Sequence, residues 1–177
     1  MKHRLPLAIA AALLAAGPAM AKTHHHHHHA HAKPRAEGQS NATFLRKALQ
    51  GDNSEMRLGR LAEQQGHAPA VRAFGHTLAR DHAAARQQAL PVAKAHGVPA
   101  TTETTPEARA EYGKLRRMHG WAFDQEFARY MVKDHRKDIA DFERQAAHGD
   151  RSTRRLAQHT LPTLRKHLRT AEQLARR

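Results

Sequence analysis

The stretch YMVKDHRKDIADF, Tyr130–Phe142, decides the fold class. Met131, His135, Ile139 and Phe142 recur at steps of four, four and three, the spacing of one face of an α-helix. Charged residues fill the positions between them. A half-buried strand would alternate at every second residue, and this stretch does not. Upstream the stripe continues through Phe127 to Asp124, so a helix is expected from about Trp121 to Ala147. The odd member is His135, an ionisable ring on an otherwise apolar face.

The same pattern recurs on both sides. A first stripe reads Phe44, Ala48, Gly51, Glu55, Leu58, Ala62, with Asn41 or Thr43 as cap and Gly66 and Pro69 as its stop. A second runs from Pro69 to about His96 as Phe74, Leu78, His82, Ala85, Ala89, Val92, and Gly97 and Pro99 end it. Pro91 lies inside it and is expected to kink it. After a short turn at His148–Gly149–Asp150, the last stripe reads Leu156, Thr160, Leu164, His167, Ala171, Leu174. Ser152 can cap it, and Pro162 should bend it. Residues 97–118 form the longest irregular connection, in which Thr105 can cap a short helix opening at Pro106. These spans predict an all-α domain over residues 41–177: an antiparallel four-helix bundle with a longer connection between helices 2 and 3.

Composition agrees. Aromatics make up 5% of the chain, too few for a sheet-rich core. There is no cysteine, which excludes disulfides and thiolate metal sites. The formal charge of +14 and pI near 11.2 favour anionic partners such as envelope polymers. Nucleic acid is not expected, because few aromatics interleave with the positive charges for base stacking. The blander reading is that Arg and Lys solvate the outer helix faces.

The N-terminus reads as processing sequence. MKHR is a basic segment, LPLAIAAALLAAG an apolar one, and Ala19–Met20–Ala21 a small-x-small cleavage site. Residues 1–21 are thus expected to be a signal peptide, and the mature protein to be exported, periplasmic or secreted, without a transmembrane segment. Residues 22–40 are low in complexity and expected to be disordered. They carry His24, His25, His26, His27, His28, His29 and His31. This run is either a purification tag or a native tail that captures metal ions through neutral imidazoles.

Each long stripe carries a polar interruption near its middle: Glu55, His82, His135 and His167. In a bundle of equal helices the midpoints meet, since one turn of misregister moves a side chain by ~5.4 Å. Three neutral imidazoles and a carboxylate suit a divalent transition metal, zinc or copper first and iron as a further candidate. Asp81 and Asp134 precede two of the histidines. Each points ~100° away from its neighbour, so each can reach a ring N–H on the next helix rather than the same ion. Taken singly, any of these residues reads equally as a satisfied core or surface group. Asp124 lies ~16 Å along the helix from His135 and is expected to cap or pair near the bundle end. Trp121, Phe123 and Phe127 read as core packing, and His67, His76, His96, His119, His148 and His159 as surface residues.

The Glu55 helix, ARDHAAA at 79–85, FDQEFARYMVKDHRKDIADFE at 123–143 and LPTLRKHLRTAEQL at 161–174 together resemble a bacterial exported family. That family is catalogued as domain of unknown function 4142, and its fold is ferritin-like. The resemblance spans about Asn41–Ala175 and implies a four-helix bundle in the cell envelope. Di-metal ferritin-like proteins carry Glu-x-x-His on two helices. Here the positions three before His82, His135 and His167 are Ala79, Val132 and Leu164, so bridging carboxylates are lacking. A single His-rich site, bound without catalysis, is the first expectation. A metal-free stress or structural protein binding anionic polymers is the second, and an enzyme with an open coordination position the third.

Overall fold

The structure, a computed structural model, describes residues 34–177, with side chains from Asn41 onward. The expected signal peptide and the histidines at 24–29 and 31 lie outside the described residues. Five helices and no strand are present among the described residues: α1 (Pro34–Gln65), α2 (Pro69–Ala95), α3 (Pro106–Leu115), α4 (Gly120–His148) and α5 (Arg151–Ala175). Helix α1 starts at Pro34, ahead of the Asn41 or Thr43 cap and inside the stretch expected to be disordered. None of the helices is long and apolar enough to cross a membrane.

Short turns make two hairpins. α1 packs along α2, and α4 along α5; α2 then meets α5, and α1 meets α4. The α1–α2 hairpin is unusually close. A Cβ on Gly75 would stand 2.5 Å from the Gly59 carbonyl oxygen, so the two backbones touch where only glycine fits. At the turn, Asp124 of α4 accepts from the backbone N–H groups of His67 (2.8 Å) and Ala68 (2.7 Å), the capping role its position suggests. The α2–α3 connection crosses α1 and is fastened there. Asn53 donates to the carbonyls of Thr101 and Glu103, each at 2.9 Å, and Arg86 also binds the Thr101 carbonyl. Thr105 caps α3 through the N–H of Ala108.

Two local expectations need correction. Asp150, not Ser152, caps α5, accepting from the N–H groups of Ser152 and Thr153. Trp121 is 60% exposed, because it stands on the first turn of α4, beyond the packed end of the core; Phe123 and Phe127 are buried. Pro91 and Pro162 lie inside continuous helices, both on exposed faces.

Apolar packing divides into two clusters. One gathers Leu58, Phe74, Leu78, Phe123, Phe127 and Met131; the other gathers Phe44, Leu45, Leu49, Ala89, Leu156 and Ala157. Between them lies a buried polar layer containing Asp52, Glu55, His82, His135 and His167.

Candidate metal centre

Three helices supply the histidines. His82 comes from α2, His135 from α4 and His167 from α5, each at the middle of its apolar stripe and nearly fully buried. The rings face one another, with centroids 6.0 Å apart for His82–His135 and 5.4 Å for each of the other two pairs. One ring nitrogen from each lies within 4.8 Å of those from the other two.

The other ring nitrogen of each histidine is anchored. His82 Nδ1 binds Asp52 Oδ1 at 2.9 Å, His135 Nδ1 binds the Met131 carbonyl at 3.0 Å, and His167 Nε2 binds Asp81 Oδ2 at 3.0 Å. A carbonyl or carboxylate oxygen only accepts, so each anchored nitrogen carries the proton and donates. The opposite nitrogen then holds a lone pair. Those nitrogens are His82 Nε2, His135 Nε2 and His167 Nδ1, all buried and without a hydrogen-bond partner among the described residues.

Burial is the largest influence on His135 and His167. It pushes His135 well below the usual histidine value, helped by the neighbouring His82 and His167 and opposed by the Met131 carbonyl. It likewise lowers His167 to about 4, with His82 acting in the same direction and Asp81 against it. Burial alone would raise Asp81, but hydrogen bonds from His167 and Arg80 outweigh it and hold that carboxyl below its ordinary range. His135 and His167 are therefore neutral imidazoles, and their hydrogen bonds fix the tautomer of each. That is the state a metal ligand requires.

The expected carboxylates are placed differently. Asp81 reaches across to His167 on another helix, as its position suggests. Asp134 makes no hydrogen bond or ion pair with a histidine ring among the described residues; it lies beside Glu55. Glu55 is 1% exposed, is not part of the three-histidine group, and has both carboxyl oxygens unpartnered among the described residues. Burial, then the charge and closeness of Asp134, drive its carboxyl well above the usual range. Asp52 was not anticipated. It stands three residues before Glu55 on α1, off the centre of the stripe, and only the fold shows that it meets His82 thirty positions away.

A cavity of about 880 Å³ opens between α1 and α4 beside this centre. Asp52, Asp134, Asp138, Asp141 and Tyr130 line it, and His82 forms part of its inner wall.

A family model described as a domain of unknown function (DUF4142) matches residues 25–174. The chain belongs to the DUF4142 family. No curated protein matches it. Among solved structures, this DUF4142 chain is similar in fold to the crystal structure of a DUF305 fragment from Deinococcus radiodurans. The TM-score is 0.68 at 21% identity, over 78% of this chain and 97% of that one. At that identity the likeness speaks to the fold alone.

Proposed function

We propose that this DUF4142 chain is an exported metal-binding protein whose centre is His82, His135 and His167. One observation carries the reading: three lone pairs converge, buried, with no donor to satisfy them among the described residues. Each unmet acceptor costs about 1–3 kcal/mol. A water has two hydrogens to give and three acceptors to meet. A proton would satisfy one nitrogen by placing charge where burial opposes it. A divalent cation takes all three lone pairs at once, and Zn–N bonds of about 2.0–2.1 Å need only a small inward closing of the rings. Three nitrogen donors favour zinc or copper over magnesium or calcium, with iron a further candidate.

The two hairpins and the crossing α2–α3 connection suit a ferritin-like four-helix bundle with a mononuclear centre in place of the di-metal one. The N-terminal segment suits export, and a native His24–His29 and His31 tail would raise the local ion concentration beside the domain. The chain itself would hold the ion without catalysing a reaction.

The test is metal titration of the full chain with the seven tail histidines replaced by serine, beside the same chain carrying His82→Ala and His135→Ala. The expected result is one tight equivalent, lost in the double variant. No binding above background in the parent sinks the reading.

A second reading draws on the outer face of α5. Arg151, Arg154, Arg155, Lys166 and Arg169 are exposed and lack an ion-pair partner among the described residues. Such a face suits anionic envelope polymers. Binding to a polyanion that weakens steeply with added salt would support it; binding indifferent to salt would remove it.

A further inference from the structure

Three chain segments meet at one end of the bundle: the α1–α2 turn, the α3–α4 turn with the first turn of α4, and the last turn of α5. They touch one another there. Gln65 donates to the Leu115 carbonyl at 3.0 Å, and the His67 and Trp121 rings meet edge to face with centroids 5.0 Å apart. Ala68, Trp121, Leu174 and Arg177 line one shallow hollow of about 50 Å³. Two features set this end apart. Trp121 is exposed, whereas the other large apolar side chains among the described residues are buried or half-buried. Arg116, Arg117, Arg176 and Arg177 are also exposed, and none has an ion-pair partner among the described residues. The carboxylates on the adjoining helix turns are taken. Glu126 binds Lys114 and Arg129, Glu172 binds Arg136 at 2.7 Å, and Asp124 holds the two N–H groups of the α1–α2 turn.

We propose that this end of the bundle docks on the surface of an anionic phospholipid bilayer, with Trp121 at the level of the headgroups and the four arginines on lipid phosphates. This contact needs no metal and uses a different face from the outer side of α5. An indole has a large apolar body and one N–H donor, the combination that settles at a membrane–water interface. A soluble polyanion offers it no apolar phase. A small organic ligand does not fit either, since pockets for such ligands run to about 300–1,000 Å³ and the hollow holds about 50 Å³. A stable protein interface has an apolar core of several residues, and here one exposed apolar side chain stands among cations. Guanidinium groups grip phosphate oxygens in pairs and are weakly hydrated, so they suit the headgroup layer. Each cation near an anionic bilayer adds attraction, and Arg177 lines the same hollow as Trp121. None of the helices is long and apolar enough to span the bilayer, so the contact is peripheral.

Trp121 is the one tryptophan in the chain, so its fluorescence reports this end and no other. The full chain with the tail histidines replaced by serine is titrated with vesicles of mixed phosphatidylglycerol and phosphatidylcholine, with vesicles of phosphatidylcholine alone, and with soluble polyphosphate. The mixed vesicles should shift the Trp121 emission to the blue and, when their acyl chains carry bromine, quench it. Phosphatidylcholine alone and polyphosphate should do neither. Arg116→Gln with Arg117→Gln should raise the lipid concentration at half-saturation by about tenfold or more, and so should Arg176→Gln with Arg177→Gln. Added KCl should raise it for the parent. Arg46→Gln with Lys94→Gln removes the same charge toward the opposite end, and should leave the half-saturation point within about twofold of the parent. Circular dichroism verifies the helices of each variant. Vesicle sedimentation without a change in Trp121 emission overturns the proposal, because another part of the chain, such as the apolar residues 5–17, then carries the contact. An equal shift with phosphatidylcholine alone, or with polyphosphate, overturns the anionic bilayer as the partner. Equal weakening by the Arg46 and Lys94 pair overturns this end as the site, and no shift with any vesicle overturns it outright.

Discussion

Asp52 does for His82 what the Met131 carbonyl does for His135 and Asp81 for His167: it takes the proton-bearing nitrogen and leaves a lone pair facing the other two rings. Replacing it with alanine should lower metal affinity by about 10–100-fold, the usual cost of losing such a partner, with one equivalent still bound; competition against a chromophoric chelator would measure this. An affinity within twofold of the parent would remove Asp52 from the centre. The metal-free protein should also respond to pH at this layer. His167 stays neutral in the fold down to about 4 but takes a proton near 6.5 when free, so its contribution is present above 6.5 and is lost as pH falls toward 4. Asp138 runs the other way. Burial, then Asp134, lift its carboxyl to about 7, so its contribution is favourable at acid pH and is lost as pH rises from about 3.8 through 7. Asp138→Asn should therefore stabilise the metal-free protein at pH 8 by roughly 1–3 kcal/mol, the gain vanishing by pH 4, as read from urea unfolding across that range. The same contrast explains what the sequence showed. His82, His135 and His167 were legible because each breaks an apolar stripe at mid-depth. Asp52 sits among ordinary helix-surface residues, and no periodicity separates a carboxylate turned inward from one turned out.

The helices themselves were readable where glycine and proline punctuate them, at Gly66, Pro69, Gly97, Pro106 and Gly149. Their starts were less so. Asp150 and Ser152 are both good capping residues, and residue type alone does not choose the one that opens α5. Nor does any pattern announce the contact between Gly59 and Gly75, since a glycine inside a stripe reads equally as a weak point. In the fold, a Cβ on Gly75 would stand 2.5 Å from the Gly59 oxygen and 2.6 Å from the Glu63 nitrogen, backbone atoms that cannot turn aside. Gly75→Ala should cost about 1–3 kcal/mol or more in thermal unfolding, by forcing α1 from α2. It should also weaken metal binding, because Asp52 and His82 stand on those two helices. Gly113, inside α3 with nothing within 4 Å of an added Cβ, is the control: Gly113→Ala should gain about 0.5–1 kcal/mol. Equal effects at the two glycines would mean that the close approach of α1 and α2 does not exist in solution.

At the scale of the molecule, the centre spans the seam between the hairpins. His82 belongs to α1–α2, and His135 and His167 to α4–α5, while packing is denser within each hairpin than between them. The polar layer also separates the two apolar clusters, so the seam is least supported by burial at the level of the histidines. An ion there would bridge the hairpins where apolar packing is interrupted. Binding confined to the native state adds RT ln(1 + [L]/Kd), about 2.7 kcal/mol at a hundredfold excess over Kd, which for a chain of this size raises Tm by several degrees. The gain should be local as well as global. With zinc bound, amide exchange should slow most at the midpoints of α2, α4 and α5, around His82, His135 and His167, and least at the α1–α2 turn, which Asp124 already fastens. The His82→Ala variant should show neither the rise in Tm nor the protection. Slowing spread evenly along all five helices would indicate general stabilisation, and the hairpins would then be held together by packing without help from the centre.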